Sequence, residues 1–378
     1  MQKLDVNKPY LLSIKPNFFT VYEDREYNYT LSSREKSNEN LKKNKANGEI
    51  SEKAKKRLTT ALDWMLLIAK KKKIENLKTK STFEYRLSML TLTLPCRQLH
   101  DDLYVKKYLL NEYLSIIRKK YELKHYIWKA EKQTNGNIHF HIIIDRYIHF
   151  KDVNRIWNQI LNTHGYINEY RKAQEQLHKD GFSFRGQLKK NWDYYSQLKA
   201  YKYGKKTGWT NPSATTDIHS LKKIKSVRAY LGKYISKNPD REKSEKQYIE
   251  KYCKDNNILH PTPGLVETIK AELKQKLTVI GNLWYISTSL SKLKNKVVEL
   301  TDDIKVELDY IKKNMPEKVK TFDYAIVFCL SVKELYKKKI NRIFGHFKDY
   351  ILSIREQIYS DIFEQSSPLG LALPLFDN

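Results

Sequence analysis

The sequence predicts an α+β fold, with an antiparallel sheet and helices packed on it. Two kinds of spacing carry this. Leu90, Leu92 and Leu94 alternate with Thr91 and Thr93, and residues 138–145 divide by alternation into two unlike faces, the period of a strand. Apolar residues recur instead at three- and four-residue steps over 51–73, 101–123 and 151–162, the period of a helix. A third observation joins two strands. Asn135-Gly136 stands between extended stretches, and such a pair supplies the positive φ of a hairpin turn.

The elements follow in order. Residues 1–50 are polar and include "REKSNENLKKNKANGE", the composition of a flexible charged arm. Ser51 can cap the helix over 51–73, and Lys70 to Lys73 sit at its negative end. The strand in "FEYRLSMLTLTLP" (83–95) is ended by Pro95. A helix over 101–123 precedes a hairpin over 125–145, made of "HYIWKAEKQ", the turn "TNGN" and "IHFHIIID". Another helix covers 151–162. Residues 165–220 are mixed and polar with few signals, and "TGWTNPSATT" is loop. A helix over 221–237 ends at "KNPD", and from about 262 onward the pattern is mainly helical, over 265–278, 297–313 and 331–364. The resulting division is an arm and helix over 1–80, a central domain over 81–245 and a mainly helical region over 246–378.

Composition narrows the function. The 378 residues carry 71 Lys and Arg against 43 Asp and Glu, a net charge of +28. Such an excess points to a polyanion, nucleic acid first and an anionic membrane surface second. No apolar run approaches the ~20 residues that span a bilayer, and the N-terminus lacks the apolar core of a signal peptide. A cytoplasmic protein is expected. The three cysteines (Cys96, Cys253, Cys329) form no C-x-x-C pair, which argues against a structural zinc site and a disulfide framework. The 27 tyrosines suit stacking on unpaired bases, although A/T-rich codon usage raises the same residue.

The stretch "NGNIHFHIIID" (Asn135 to Asp145) holds the first chemical signal. His139, His141, Ile143 and Asp145 share one strand face; Ile138, Phe140, Ile142 and Ile144 share the other. Two neutral imidazoles two residues apart can reach one divalent ion. The neighbouring strand can add a carboxylate. A three-residue loop, Asn135 to Asn137, pairs Glu131 with His141 on one face, whereas a two-residue Asn-Gly loop puts Ala130 there. The first is expected. Two imidazoles and one carboxylate leave open positions for substrate oxygens and suit Mg²⁺ or Mn²⁺. By itself, H-x-H also fits two ordinary strand residues.

The second signal is "VRAYLGKYISKN" (Val227 to Asn238). On a helix, Tyr230, Lys233, Tyr234 and Lys237 form one stripe, beside an apolar stripe of Ile224, Val227, Leu231 and Ile235. A tyrosine oxygen can attack a phosphodiester and keep its bond energy in a phosphotyrosine. Because a phenol has a pKa of ~10, it needs help from a cation. Lys233 or a metal can supply that help. Alone, the stripe fits better a plain amphipathic helix of a Tyr- and Lys-rich protein. Asp217 and His219, just before it, are polar and well placed, with helix capping the plainer role.

Three motifs in this order resemble the HUH endonucleases, in particular the two-tyrosine rolling-circle replication initiators of phages and plasmids. They are the strand "MLTLTLP" (Met89 to Pro95), the pair "HFH", and "YLGKYISK" (Tyr230 to Lys237), which has the form Y-x-x-K-Y. The resemblance covers residues ~85–240. It implies a five-stranded antiparallel sheet flanked by helices, with N- and C-terminal helical extensions. It also implies metal-dependent nicking and rejoining of single-stranded DNA at an origin, at times beside a hairpin. The products would be a 3′-hydroxyl primer and a 5′ end linked to tyrosine. On this chain His139, His141 and Glu131 would be metal ligands. Tyr230 and Tyr234 would be nucleophiles, Tyr230 the first, assisted by Lys233. The wide gap over 165–220 departs from the simplest members.

The chain lacks a "GxxxxGK[ST]" phosphate loop, so unwinding is expected from a host helicase, with a host polymerase extending the primer in a bacterial cytoplasm. A relaxase or transposase of the same chemistry, or a non-catalytic single-strand binder, remain the alternatives.

Overall fold

A computed structural model describes residues 10–23, 50–69, 72–75, 82–188, 192–221, 241–293, 295–322 and 325–363. The helix expected over 221–237, and with it Tyr230, Lys233 and Tyr234, lies outside the described residues.

The chain begins with β1 (Tyr10–Ile14), β2 (Phe19–Glu23) and α1 (Glu52–Ile68). Next come β3 (Lys72–Glu75), β4 (Thr82–Tyr85) and β5 (Leu87–Leu92). A short α2 (Asp102–Tyr104) runs through a π-helical segment (Val105–Leu110) into α3 (Asn111–Lys120). Then follow β6 (Tyr126–Lys132), β7 (Ile138–Ile144), α4 (Phe150–Thr163), α5 (Tyr166–Leu177), α6 (Tyr194–Thr207) and β8 (Thr216–Leu221). The remainder is α7 (Arg241–Asp255), α8 (Pro263–Leu277), β9 (Trp284–Ile286), α9 (Thr288–Ser291), β10 (Lys296–Glu299), α10 (Asp302–Asn314), β11 (Val319–Phe322), β12 (Ala325–Phe328), α11 (Val332–Lys337) and α12 (Asn341–Phe363).

Two compact units result. One joins the start of α1, through Lys55, to residues Lys72–Ser287; the other combines β1, β2 and the rest of α1 with everything from Thr288 onward. Each contains a five-stranded antiparallel sheet, so the α+β class holds.

In the 72–287 unit the strand order is β8-β5-β7-β6-β9. The apolar face carries Leu90, Leu92, Trp128, Phe140, Ile142 and Ile144, buried with residues of α3 and α4 such as Tyr113, Ile117, Ile156 and Trp157 in one core. Phe140 is 1% exposed and meets Trp128 edge-on, with ring centres 6.2 Å apart. Leu94 is buried too, although β5 stops at Leu92; Thr93 donates its N–H to Thr215 O (2.8 Å).

In the second unit the order is β10-β1-β2-β12-β11. Leu12, Ile14, Phe19, Val21 and Phe328 are buried, and the Phe19 and Phe328 rings stack at 4.8 Å. Trp64 of α1 stacks on Phe347 of α12 at 5.9 Å. This sheet corrects two expectations. Residues 10–23 are paired strands and not part of an arm, and the terminal extensions are not purely helical. Residues 297–299, expected as the start of a helix, lie on β10 and pair with β1, and the helix starts at Asp302. These strands have four or five residues each, too short for alternation to stand out, and the β1–β10 and β2–β12 pairings join residues far apart in sequence.

Residues 165–220 are also more regular than expected, forming α5, α6 and β8. Asp217 and His219 lie on the edge strand β8, so neither caps a helix.

Phe140→Ala should destabilise the chain by about 3–5 kcal/mol. Urea denaturation checks this; a loss below about 1 kcal/mol would mean the ring is not the core anchor described.

Candidate metal centre

The sheet's other face is built by cross-strand pairing, because residues directly opposite each other share a face. His141 on β7 stands opposite Thr91 on β5 and Lys129 on β6. Asp217 on β8 continues that row beyond Thr91, and Trp284 on β9 continues it beyond Lys129. One row nearer the hairpin loop, Glu131 faces His139. One row further away, Met89, Ile127, Ile143 and Ile286 are buried. Polar chemistry is thus concentrated at the loop end of the face.

The hairpin register differs from the expected one. A three-residue loop does form, but it is Thr134 to Gly136: Gln133 donates its N–H to Asn137 O (2.8 Å), and Gly136 takes φ +86° at the last loop position. Glu131 therefore pairs with His139 instead of His141. The reason is Asn137, which is 3% exposed. Its Nδ2 donates to Cys96 O (2.7 Å) and its Oδ1 accepts from Gln98 N (2.9 Å). A loop over Asn135–Asn137 would forfeit that buried anchoring. The shift moves the pairing by two residues, so Glu131 keeps its face.

Glu131 Oε1 lies 3.0 Å from His139 Nε2 and 2.9 Å from His141 Nε2, while Oε2 accepts from Lys129 Nζ at 2.8 Å. One ligand atom from each of Glu131, His139 and His141 lies within 4.8 Å of the others. Adjacent ligands of an octahedral ion at about 2.1 Å stand about 3.0 Å apart. The donor set therefore fits a divalent cation. Among the described residues no other group of three such side chains converges in this way.

The protonation states suit that role. Burial alone pushes the Glu131 carboxyl up, but hydrogen bonds from both histidines and the Lys129 charge outweigh it, so the group stays well below the usual carboxylate range. Burial pulls the His141 imidazole down, and the hydrogen bond to Glu131 only partly opposes this. A carboxylate and a neutral imidazole are the forms that ligate metals.

Thr91, which the sequence reading placed only by its face, touches the site: its Oγ1 lies 3.2 Å from His141 Nδ1. When Nε2 is a ligand, Nδ1 carries the proton and donates it to that hydroxyl, fixing the ring's tautomer and direction. Lys129 was likewise missed. Its signal was the alternation of "KAE", which puts Lys129 and Glu131 on one face. Asp217 and His219 contact each other at 3.3 Å on the exposed edge.

Residues 87–239 match the family model described as replication-associated protein, of the ORF2 and gene-2-protein type. That span takes in the strand, the histidine pair, the gap over 165–220 and the tyrosine motif. Comparison with curated proteins and with solved structures finds no match. No described helix is long and apolar enough to cross a membrane.

Thr91→Val should weaken Mn²⁺ binding about tenfold, because the orienting partner is lost while the β-branched shape remains. Calorimetric titration measures it, and unchanged affinity would remove Thr91 from the site. Protonation of Nε2 abolishes ligation, and burial holds His141 below its ordinary 6.5. Its contribution to Mn²⁺ affinity should persist at pH 6.5 and fall only at lower pH, in titrations from about pH 8 to 5.

Proposed function

We propose that the chain nicks and rejoins single-stranded DNA at an origin, with 81–245 as the nicking domain, a reading supported by the match of residues 87–239 to the replication-associated protein family model. The observation that carries this is the convergence of Glu131, His139 and His141 on a sheet face within the matched residues. Tyr230 and Tyr234 fall in the same matched span, and they are the proposed nucleophiles.

In the reaction, the phenol of one tyrosine loses its proton and its oxygen bonds to phosphorus. The bond from phosphorus to the 3′ oxygen breaks, and that oxygen takes up a proton and leaves as the primer hydroxyl. The 5′ phosphate stays on tyrosine, so no bond energy is lost to water. Glu131, His139 and His141 would hold a divalent cation, Mg²⁺ or Mn²⁺, which would supply Lewis-acid polarisation of the scissile phosphate. Glu131 and the two imidazoles hold that charge at a defined place, and Lys129 balances the second carboxylate oxygen. Lys233, three residues after Tyr230, stabilises the developing phenolate. A second tyrosine four residues on permits a second transfer while the first remains linked. The excess of bases over acids across the chain gives the DNA backbone a complementary surface. A host helicase and polymerase would act on the opened strand.

Incubation with single-stranded origin oligonucleotides and Mn²⁺ should give a protein–DNA adduct that survives denaturing electrophoresis. Tyr230→Phe with Tyr234→Phe should abolish it while leaving DNA binding in place, and the single variants assign the first nucleophile. An undiminished adduct in the double variant would refute the tyrosine assignment.

A further inference from the structure

The segment between the histidine and tyrosine motifs encloses a cavity of about 350 Å³, near the small end of ligand pockets, about 300–1,000 Å³. Its walls include Tyr170, His178, Phe182, Trp192, Tyr201 and Trp209. The rings are already arranged against one another. His178 stacks on Trp209 at 5.2 Å with 9° between planes, and Tyr201 lies 5.5 Å from Phe182 and 6.1 Å from Trp209. Trp209 depends on a glycine: a Cβ on Gly204 would stand 1.9 Å from its ring. The wall carrying Phe182 and Arg185 is pinned by Gln197, which is 4% exposed. Gln197 accepts from Arg185 N (3.0 Å) and donates to Arg185 O (3.2 Å) and Trp192 O (2.8 Å). The cavity is therefore preformed.

Its location and charge indicate what enters. Thr93 and Pro95, just after β5, and Gln133 and Asn135, at the hairpin loop, also line it. Glu131 is two residues from Gln133, so the cavity opens at the end of the sheet that carries the metal centre. Arg185 lines it, and α6 exposes Lys199, Lys202, Lys205 and Lys206 while bearing no acidic residue. Aromatic faces for a planar ring, flanked by cations for phosphate, are the chemistry of single-strand binding.

We infer that this aromatic pocket captures one unpaired base of the DNA strand and so helps set the strand over the metal centre. The inference rests on the nucleic-acid reading above and goes beyond it by assigning a base-binding site to Tyr170, His178, Phe182, Trp192, Tyr201 and Trp209.

The test measures binding of the full chain, in EDTA so that no cleavage occurs, to fluorescein-labelled oligothymidylate and to a fully abasic strand of the same length, about twelve residues. The wild-type chain should favour the base-bearing strand by about tenfold. Trp192→Ala and Tyr203→Ala, on two pocket-lining side chains 39% and 51% exposed, should lose that preference, and Trp192→Phe should retain most of it. Equal binding of the two strands by the wild-type chain would overturn the inference without recourse to any variant. So would alanine variants that keep the full preference. The adduct assay is independent: an adduct without base preference sinks the pocket and leaves the nicking proposal, and base preference without an adduct does the reverse.

Discussion

The buried amide of Asn137 ties the β6–β7 hairpin to the chain leaving β5, through Cys96 and Gln98. Gln98 returns the tie, its Oε1 accepting from Ile138 N (2.8 Å). Breaking these bonds would leave buried polar groups unpaired, which costs more than the bonds themselves contribute. The register they hold puts Glu131 against His139 and brings His141 between Thr91 and Lys129. The ligand distances, the orienting hydroxyl and the position of the loop all follow from that one pairing.

Charge makes the same arrangement selective. The chain is strongly basic, yet the candidate metal centre is built around a carboxylate kept ionised by its hydrogen-bond donors. Lys129 satisfies the carboxylate oxygen that faces away from the histidines, leaving the other to the shared site. Further down the face, the row of Met89, Ile127, Ile143 and Ile286 is apolar and buried, so the polar groups of this face gather at its loop end.

The segment from 165 to 220 shows a second use of the sheet. Its helices end on an edge strand, β8, which pairs with β5 and carries Asp217 into the same row as His141. Its aromatic residues pack on each other around a cavity instead of forming an aliphatic helical stripe. For that reason hydrophobic spacing says little about it, even though α6 is a regular helix capped by Asp193, whose Oδ1 accepts from Ser196 N (2.7 Å).

Alternation in "IHFHIIID" and "KAE" was enough to determine which residues share the metal face, because side chains on a strand have a period of two. For the same reason it could not tell a hairpin register from one displaced by two residues; both keep Glu131 beside the histidines. Tertiary bonds from Asn137 made that choice. The long helices over 52–68, 111–120, 150–163 and 263–277 were legible from local periodicity. The second sheet was not. Its β1 pairs with β10 and its β2 with β12 across most of the chain, and strands of four or five residues depend on such partners, which no local window contains. The sequence alone thus determined the faces and the chemistry they carry, and long-range packing decided which strands meet and where along each other they lock.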